Sequence, residues 1–175
     1  MIIAISGKAG SGKSTVAKEL AKKLGLKHYS VGDLMRKMAK EKGITLLELG
    51  RRAEKDKSID RELDERQIEL GSNEKDFVID GRLTAFFMPK ADLKVFLDCD
   101  DEVRAERVLK NERKDERGKS LNEIIKKINE REESERKRYK GYYNADYYNK
   151  SLYDLVINTT FLTVEEVIDN IKDSL

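Results

Sequence analysis

Apolar residues in this chain fall into two kinds of run. Short blocks rich in branched residues, Ile2 to Ser6, Phe77 to Ile79, Leu93 to Leu97 and Leu155 to Ile157, read as buried strands, and Lys27 to Ser30 reads as another short one. Between them apolar positions recur at helical spacing. Val16, Ala17, Leu20, Ala21 and Leu24 mark a first helix, and Asp33 to Lys42, Leu46 to Lys55 and Ile59 to Leu70 follow as amphipathic helices with glycines at their breaks. Asp101 to about Arg113 is a further helix, Lys114 to Lys119 a polar break containing Gly118, and Leu121 to about Tyr139 a long helix. Val164 to Ile171 is the last helix, with Thr163 placed to cap it. Strands alternating with helices build βαβ units. The expected fold is therefore α/β, a parallel sheet with helices on both faces and a ligand site at the strands' carboxyl ends.

Composition narrows the function classes. At 175 residues without a linker or internal repeat, the chain reads as one domain over 1–175. No apolar run approaches the roughly 20 residues that cross a bilayer, and MIIAIS lacks the flanks of a secretion signal, so a cytoplasmic monomer with no membrane partner is expected. Cys99 is the single cysteine and His28 the single histidine, which excludes an internal disulfide and a structural zinc site. Both take structural roles here, and any metal should be held by oxygen. A net charge of +2 lacks the basic excess of a nucleic-acid binder and suits small anionic partners.

The strongest chemical signal lies between the first strand and helix. Gly7, Lys8, Ala9, Gly10, Ser11, Gly12, Lys13 and Ser14, followed by Thr15, satisfy the Walker A pattern in the strand–loop–helix context it requires. Its glycines let successive N–H groups point at phosphate oxygens, and the helix adds its positive dipole end. Lys13 then reaches the β- and γ-phosphates of ATP, and Ser14 offers a hydroxyl to Mg²⁺.

Two further considerations select among phosphate-loop proteins. A switch GTPase needs an Asn-Lys-x-Asp segment, which is absent; Asp115 to Gly118 spells DERG in a charged break and is treated as chance. A kinase acting on a phosphate acceptor needs arginines rather than a base, because two anions must be held together through an in-line transfer. Arg82 follows the strand FVID in the segment DGR, where Asp80 can hold the water shell of Mg²⁺. Asp33 and Arg36 sit at the start of a helix after the second strand, opening an acceptor-binding segment over about 31–70. In REESERKRY, Arg131 and Arg138 share a helical face with Glu135 between them, fitted to clasp a phosphate and ribose hydroxyls. Residues 104–119 carry seven basic and four acidic side chains and read as a lid, with Arg104, Arg107, Arg113 and Arg117 closing on the donor phosphates. The tyrosines from Tyr139 to Tyr148 are expected to pack a helix end against the body.

Taken in order, GKAGSGKS, SVGDLMR, LGRRAEKD, IDGRLTAFFM, ADLKVFLD, REESERKRY and YDLVINT resemble the short, archaeal-type cytidylate kinases over nearly the whole chain. The resemblance implies a five-stranded parallel sheet, ATP-dependent phosphorylation of CMP or dCMP, acceptor-phosphate contacts from Arg36, Arg82 and Arg138, and sugar contacts from Arg131 and Glu135. Leu83 departs from the acidic residue that helps larger relatives read cytosine, so base reading is expected from 46–66, where Arg51, Arg52 and Asp56 sit. Asn158 stands where relatives often show Asp, near the expected adenine pocket. The rival readings are a phosphate-loop kinase for AMP, UMP or a small metabolite, and a nucleotide-binding regulator without transfer activity.

Overall fold

A computed structural model describes residues 1–110 and 120–175. The strands are β1 (Ile2–Gly7), β2 (Lys27–Ser30), β3 (Phe77–Asp80), β4 (Leu93–Asp98) and β5 (Leu155–Asn158). They form one parallel sheet in the order β2-β3-β1-β4-β5, with Ile5 opposite both Asp80 and Val95. Side-chain alternation along the strands divides the core in two. Ile3, Ile5, Val78, Val95 and Leu97 face one way, toward α1 (Lys13–Leu24) and α8 (Val164–Lys172), which contribute Val16, Leu20, Val167, Ile168 and Ile171. Ala4, Phe77 and Ile79 face the other, with Met88 beside them, while Phe96 meets Tyr139 and Tyr147. Thr163 caps α8 through a reciprocal capping box with Glu166, as its position in the sequence predicts.

The helical segment after β2 builds its own core. Helices α2 (Val31–Glu41), α3 (Leu46–Ala53) and α4 (Lys57–Asn73) bury Met35, Met38, Leu46, Leu49, Ile59 and Leu63 together. Capping sets their starts: Ser30, Thr45 and Asp56 each accept a backbone N–H from the first turn. These caps explain why α2 begins at Val31 rather than Asp33, and why α4 begins before Ile59. The short α5 (Thr84–Phe87) and a 3₁₀ turn at Lys150–Leu152 are too brief for periodicity to reveal. Helix α6 spans Asp101–Lys110, and α7 runs Leu121–Tyr143, four residues past its expected end, closed by Asn144 in the left-handed region at φ 51°. The expected break at 114–119, with Arg113 and Arg117, lies outside the described residues. No described helix is long and apolar enough to cross a membrane.

Where β1 turns into its loop, Gly7 has φ +146°, and a Cβ there would meet the Leu97 carbonyl oxygen at 2.2 Å. Substitution must therefore push β4 from β1 or distort the loop. Gly7→Ala should lower unfolding stability by about 3 kcal/mol, the upper end of ordinary overpacking, as read by the urea midpoint at constant slope. An unchanged midpoint would show that the β1–β4 contact yields freely.

Candidate active site

The carboxyl ends of β1 and β3 bring the phosphate loop against Asp80. Gly10 and Gly12 take φ +75° and +92°, conformations that let the loop curl ahead of α1. Lys13 is buried, and its Nζ donates to the Lys8 carbonyl at 2.6 Å. Burial, reinforced by the nearby Arg82 charge, lowers its pKa well below the usual lysine value, while Asp80, Glu132 and Glu135 oppose that shift. Ser14 Oγ donates to Asp80 Oδ2 at 2.7 Å, so the two residues expected to serve the metal are neighbours. His28 Nε2 lies 2.8 Å from the other Asp80 oxygen, and Ser30 Oγ also donates to the carboxylate. The structural role assigned to His28 is thus one of orienting a site carboxylate. Lys8 Nζ pairs with Asp98 at 2.8 Å, so within the loop it contributes its backbone rather than a free charge.

One buried carboxylate organises the arginines. Glu135, 1% exposed, accepts from Arg82 Nε at 2.7 Å and from Arg131 Nε at 2.9 Å, and Arg82 Nη1 continues to the Gly7 carbonyl at 3.0 Å. Burial would raise its pKa, but Arg82, Arg131 and Arg138 outweigh that and hold it at about 2. Lys13, Arg36, Arg82, Arg131 and Glu135 line one cavity. Arg36 is fixed at its rim by Asp33, Nη2 to Oδ1 2.5 Å, and Asp33 itself is exposed. Arg138 stands one layer behind the cavity, paired with Asp60 at 2.5 Å, both side chains 2% exposed. The acceptor-phosphate contact expected of Arg138 therefore needs an indirect account, through Asp60 on α4.

Several expectations are corrected. Arg104 does not belong to a lid: it is 1% exposed and its guanidinium pairs with Glu132 at 2.7 Å and Asp101 at 2.9 Å. Arg107 does face the donor side, donating to the Thr159 carbonyl at 2.7 Å and the Thr159 hydroxyl at 3.0 Å. It lines a second cavity with Gly10, Lys13, Ser14, Val108, Thr159 and Leu162, where Thr159 takes the place expected of Asn158, which is absent from the lining. Asn158 instead accepts from Thr160. Arg51, Arg52 and Asp56 do not line the acceptor cavity. The first pairs with Glu130 and the second with Glu48, both largely exposed, and Asp56 is spent as the α4 cap. From the expected segment 46–66 it is Asp60, Leu63 and Asp64 of α4 that line the cavity, with Gln67 just beyond the segment's end. Their i, i+4, i+7 spacing was a visible signal, because polar residues interrupt what should be the apolar face of that helix. Glu132 was also missed; it accepts from the Ala9 N–H at 2.7 Å and from Tyr148 at 3.0 Å, tying the phosphate loop to α7. The tyrosines pack as expected, Tyr139 and Tyr147 edge-on at 6.1 Å.

A phosphate loop before α1, a carboxylate at the end of the neighbouring β3 and two cavities meeting at Lys13 define a small phosphate-loop kinase. The cytidylate kinase-like family model matches residues 2–161, and the chain belongs to that family. It is 45% identical over 175 residues to a cytidylate kinase from Pyrococcus horikoshii, covering 100% of this chain and 88% of the relative. It is 43% identical to a cytidylate kinase from Archaeoglobus fulgidus, covering 97% of this chain and 91% of the relative. Among solved structures, a shikimate kinase from Bacteroides thetaiotaomicron matches with TM-score 0.66 at 18% identity, over 99% of this chain and 97% of that one, which supports the fold.

Glu135 links the site to acid stability. A carboxyl whose folded pKa lies below its unfolded value contributes stability that is complete above the unfolded value and lost as pH falls through the folded one. Glu135 should contribute fully above about pH 4.5, with the loss running down toward pH 2. Urea midpoints measured between pH 7 and pH 3 should fall on the acid side. Glu135→Gln should be less stable at pH 7 and show a flatter acid limb; parallel limbs would remove Glu135 as the cause.

Proposed function

We propose that this chain transfers the γ-phosphoryl group of ATP to CMP, giving CDP and ADP, with dCMP or UMP as weaker acceptors. The observation that carries it is the meeting of two cavities. Gly10, Lys13 and Ser14 line both the cavity bearing Arg36, Arg82 and Arg131 and the cavity bearing Arg107, Thr159 and Leu162. One nucleotide on each side places a donor phosphate and an acceptor phosphate on either flank of the same lysine, as in-line transfer requires.

Donor phosphates lie along the loop N–H groups, with Lys13 supplying its charge where the β–γ bridge breaks. Val108, Leu162 and Val164 give the adenine end an apolar wall, and Arg107 closes it. Arg36, Arg82 and Arg131 hold the acceptor phosphate, whose oxygen forms the new bond to phosphorus without needing a base. Glu135 orients the Arg82 and Arg131 guanidinia through its two oxygens and remains near the sugar. Arg138 acts by fixing Asp60, and with it α4. The oxygen pair of Ser14 and Asp80, 2.7 Å apart at the strand end, suits a hard cation, and Mg²⁺ bound there supplies charge neutralisation to the β- and γ-oxygens.

Three measurements test this reading. In an acceptor panel with coupled ADP release, CMP should have the highest kcat/KM, with AMP and GMP poor; a higher value for AMP would leave only the monophosphate kinase. Lys13→Ala should lower turnover several hundredfold or more while leaving the unfolding midpoint near that of the parent, on the scale of losing one preorganised charge. Arg82→Ala should cost roughly 2 to 4 kcal/mol in kcat/KM for the acceptor and far less in ATP binding. An equal loss for both substrates would place Arg82 at the donor.

A further inference from the structure

Three observations converge on the α4 wall of the acceptor cavity. Gln67 is 3% exposed, yet its Oε1 has no hydrogen-bond partner among the described residues, although an orphaned buried carbonyl costs free energy. Its Nε2 donates to Asp64 Oδ1 at 3.3 Å, and the second Asp64 oxygen accepts from the Tyr143 hydroxyl. Both side chains line the same cavity as the apolar Val31, Met35, Leu63 and Leu83 and as Arg82 and Arg131. An amide backed by a carboxylate and framed by apolar side chains is a reader of a planar polar edge rather than a core contact.

We infer that Gln67 reads the Watson–Crick edge of cytosine, accepting from the 4-amino group through Oε1 and donating to N3 through Nε2, and that Asp64 is the positioning residue that fixes this orientation. The inference rests on CMP as acceptor. A glutamine amide is two-faced. Turned over, it would donate to the 4-keto oxygen of uracil and accept from N3–H. What forbids the turn is Asp64, an acceptor that would then face Oε1 with two lone-pair oxygens in contact. Discrimination between CMP and UMP thus lies in a residue that touches neither base.

A chemical consequence follows for pH. Protonated, Asp64 becomes a donor and tolerates either orientation of the amide. Burial raises its carboxyl to about 6, opposed by the Tyr143 hydrogen bond; Asp60, Lys57 and Arg138 also act on it, and Arg36, Arg82 and Arg131 line the same cavity. The preference for CMP should therefore weaken below about pH 6. Both acceptors carry the same phosphate, so its own titration cancels in the ratio.

The test is the ratio of kcat/KM for CMP to that for UMP, in the full chain with saturating ATP. The parent should favour CMP by roughly 10- to 100-fold at pH 7.5, the scale of one mismatched buried polar pair, and by several-fold less at pH 5.5. Asp64→Asn should bring the ratio to within about threefold at both pH values, chiefly by improving UMP, since an asparagine can donate as well as accept. Gln67→Met should raise KM for CMP about tenfold or more with KM for ATP unchanged. A parent that prefers AMP to CMP overturns the acceptor assignment and this inference with it. A parent that prefers CMP with a ratio independent of pH overturns the inference alone, and so does a ratio unchanged in Asp64→Asn. The parent's pH series needs no variant, so it decides the matter even if Asp64→Asn fails to fold.

Discussion

Holding two phosphates against each other inside a protein demands buried cations, and buried cations demand carboxylates before any substrate arrives. That constraint governs this structure. Arg82 and Arg131 converge on Glu135, Arg104 on Glu132 and Arg138 on Asp60, each guanidinium close to a carboxylate and largely out of water. Unpaired, any one of these charges would shift the fold by several kcal/mol; paired, they are rigid donors that need no reorganisation when an anion enters.

Helix α7 is where these pairs are coordinated. Glu132, Glu135 and Arg138 recur every three residues along it, so successive turns address different parts of the molecule. Glu132 reaches the Ala9 N–H of the phosphate loop, Glu135 the arginine at the end of β3, and Arg138 the cavity wall on α4. A single helix therefore sets the phosphate loop, Arg82 and the α4 wall in one frame.

The parts of this arrangement that depend on local pattern were legible in the sequence. Strand blocks, the phosphate loop, Asp80 and Arg82 follow from alternation, glycine spacing and position at strand ends, and Glu135 from helical spacing in REESERKRY. The rest depends on tertiary partners. Arg104 and Arg107 are three apart on α6 and equally basic, yet one turns inward because Glu132 waits there and the other outward to Thr159. No periodicity distinguishes them. Arg51 and Arg52 misled for the opposite reason: an arginine pair in an acceptor segment suggests anion binding, whereas α3 spends both on surface ion pairs of little energetic weight. His28 could be read only as structural, because a lone histidine on a short strand names no partner until Asp80 of the adjacent strand is placed beside it.

Where the structure tolerates unsatisfied polar atoms also bears on function. Among the described residues Asp60 Oδ2, Gln67 Oε1, Arg138 Nε, Ser134 Oγ, Arg104 Nε and Tyr147 Oη are buried without partners, the last two away from the cavity. Asp60 and Gln67 line the acceptor cavity itself, while Ser134 and Arg138 line a small pocket behind it that shares Met35, Arg131 and Glu135 with the cavity. Each such atom costs about 1 to 3 kcal/mol, so a chain optimised only for folding would replace them with apolar side chains of similar volume. The sheet's own core shows that replacement: Ile3, Ile5, Val78, Val95 and Leu97 form it without a single polar side chain among them. Local stability is given up at Asp60 and Gln67 on the wall of the acceptor cavity, the part of the molecule where an unpaired polar atom is open to a ligand rather than sealed in the core.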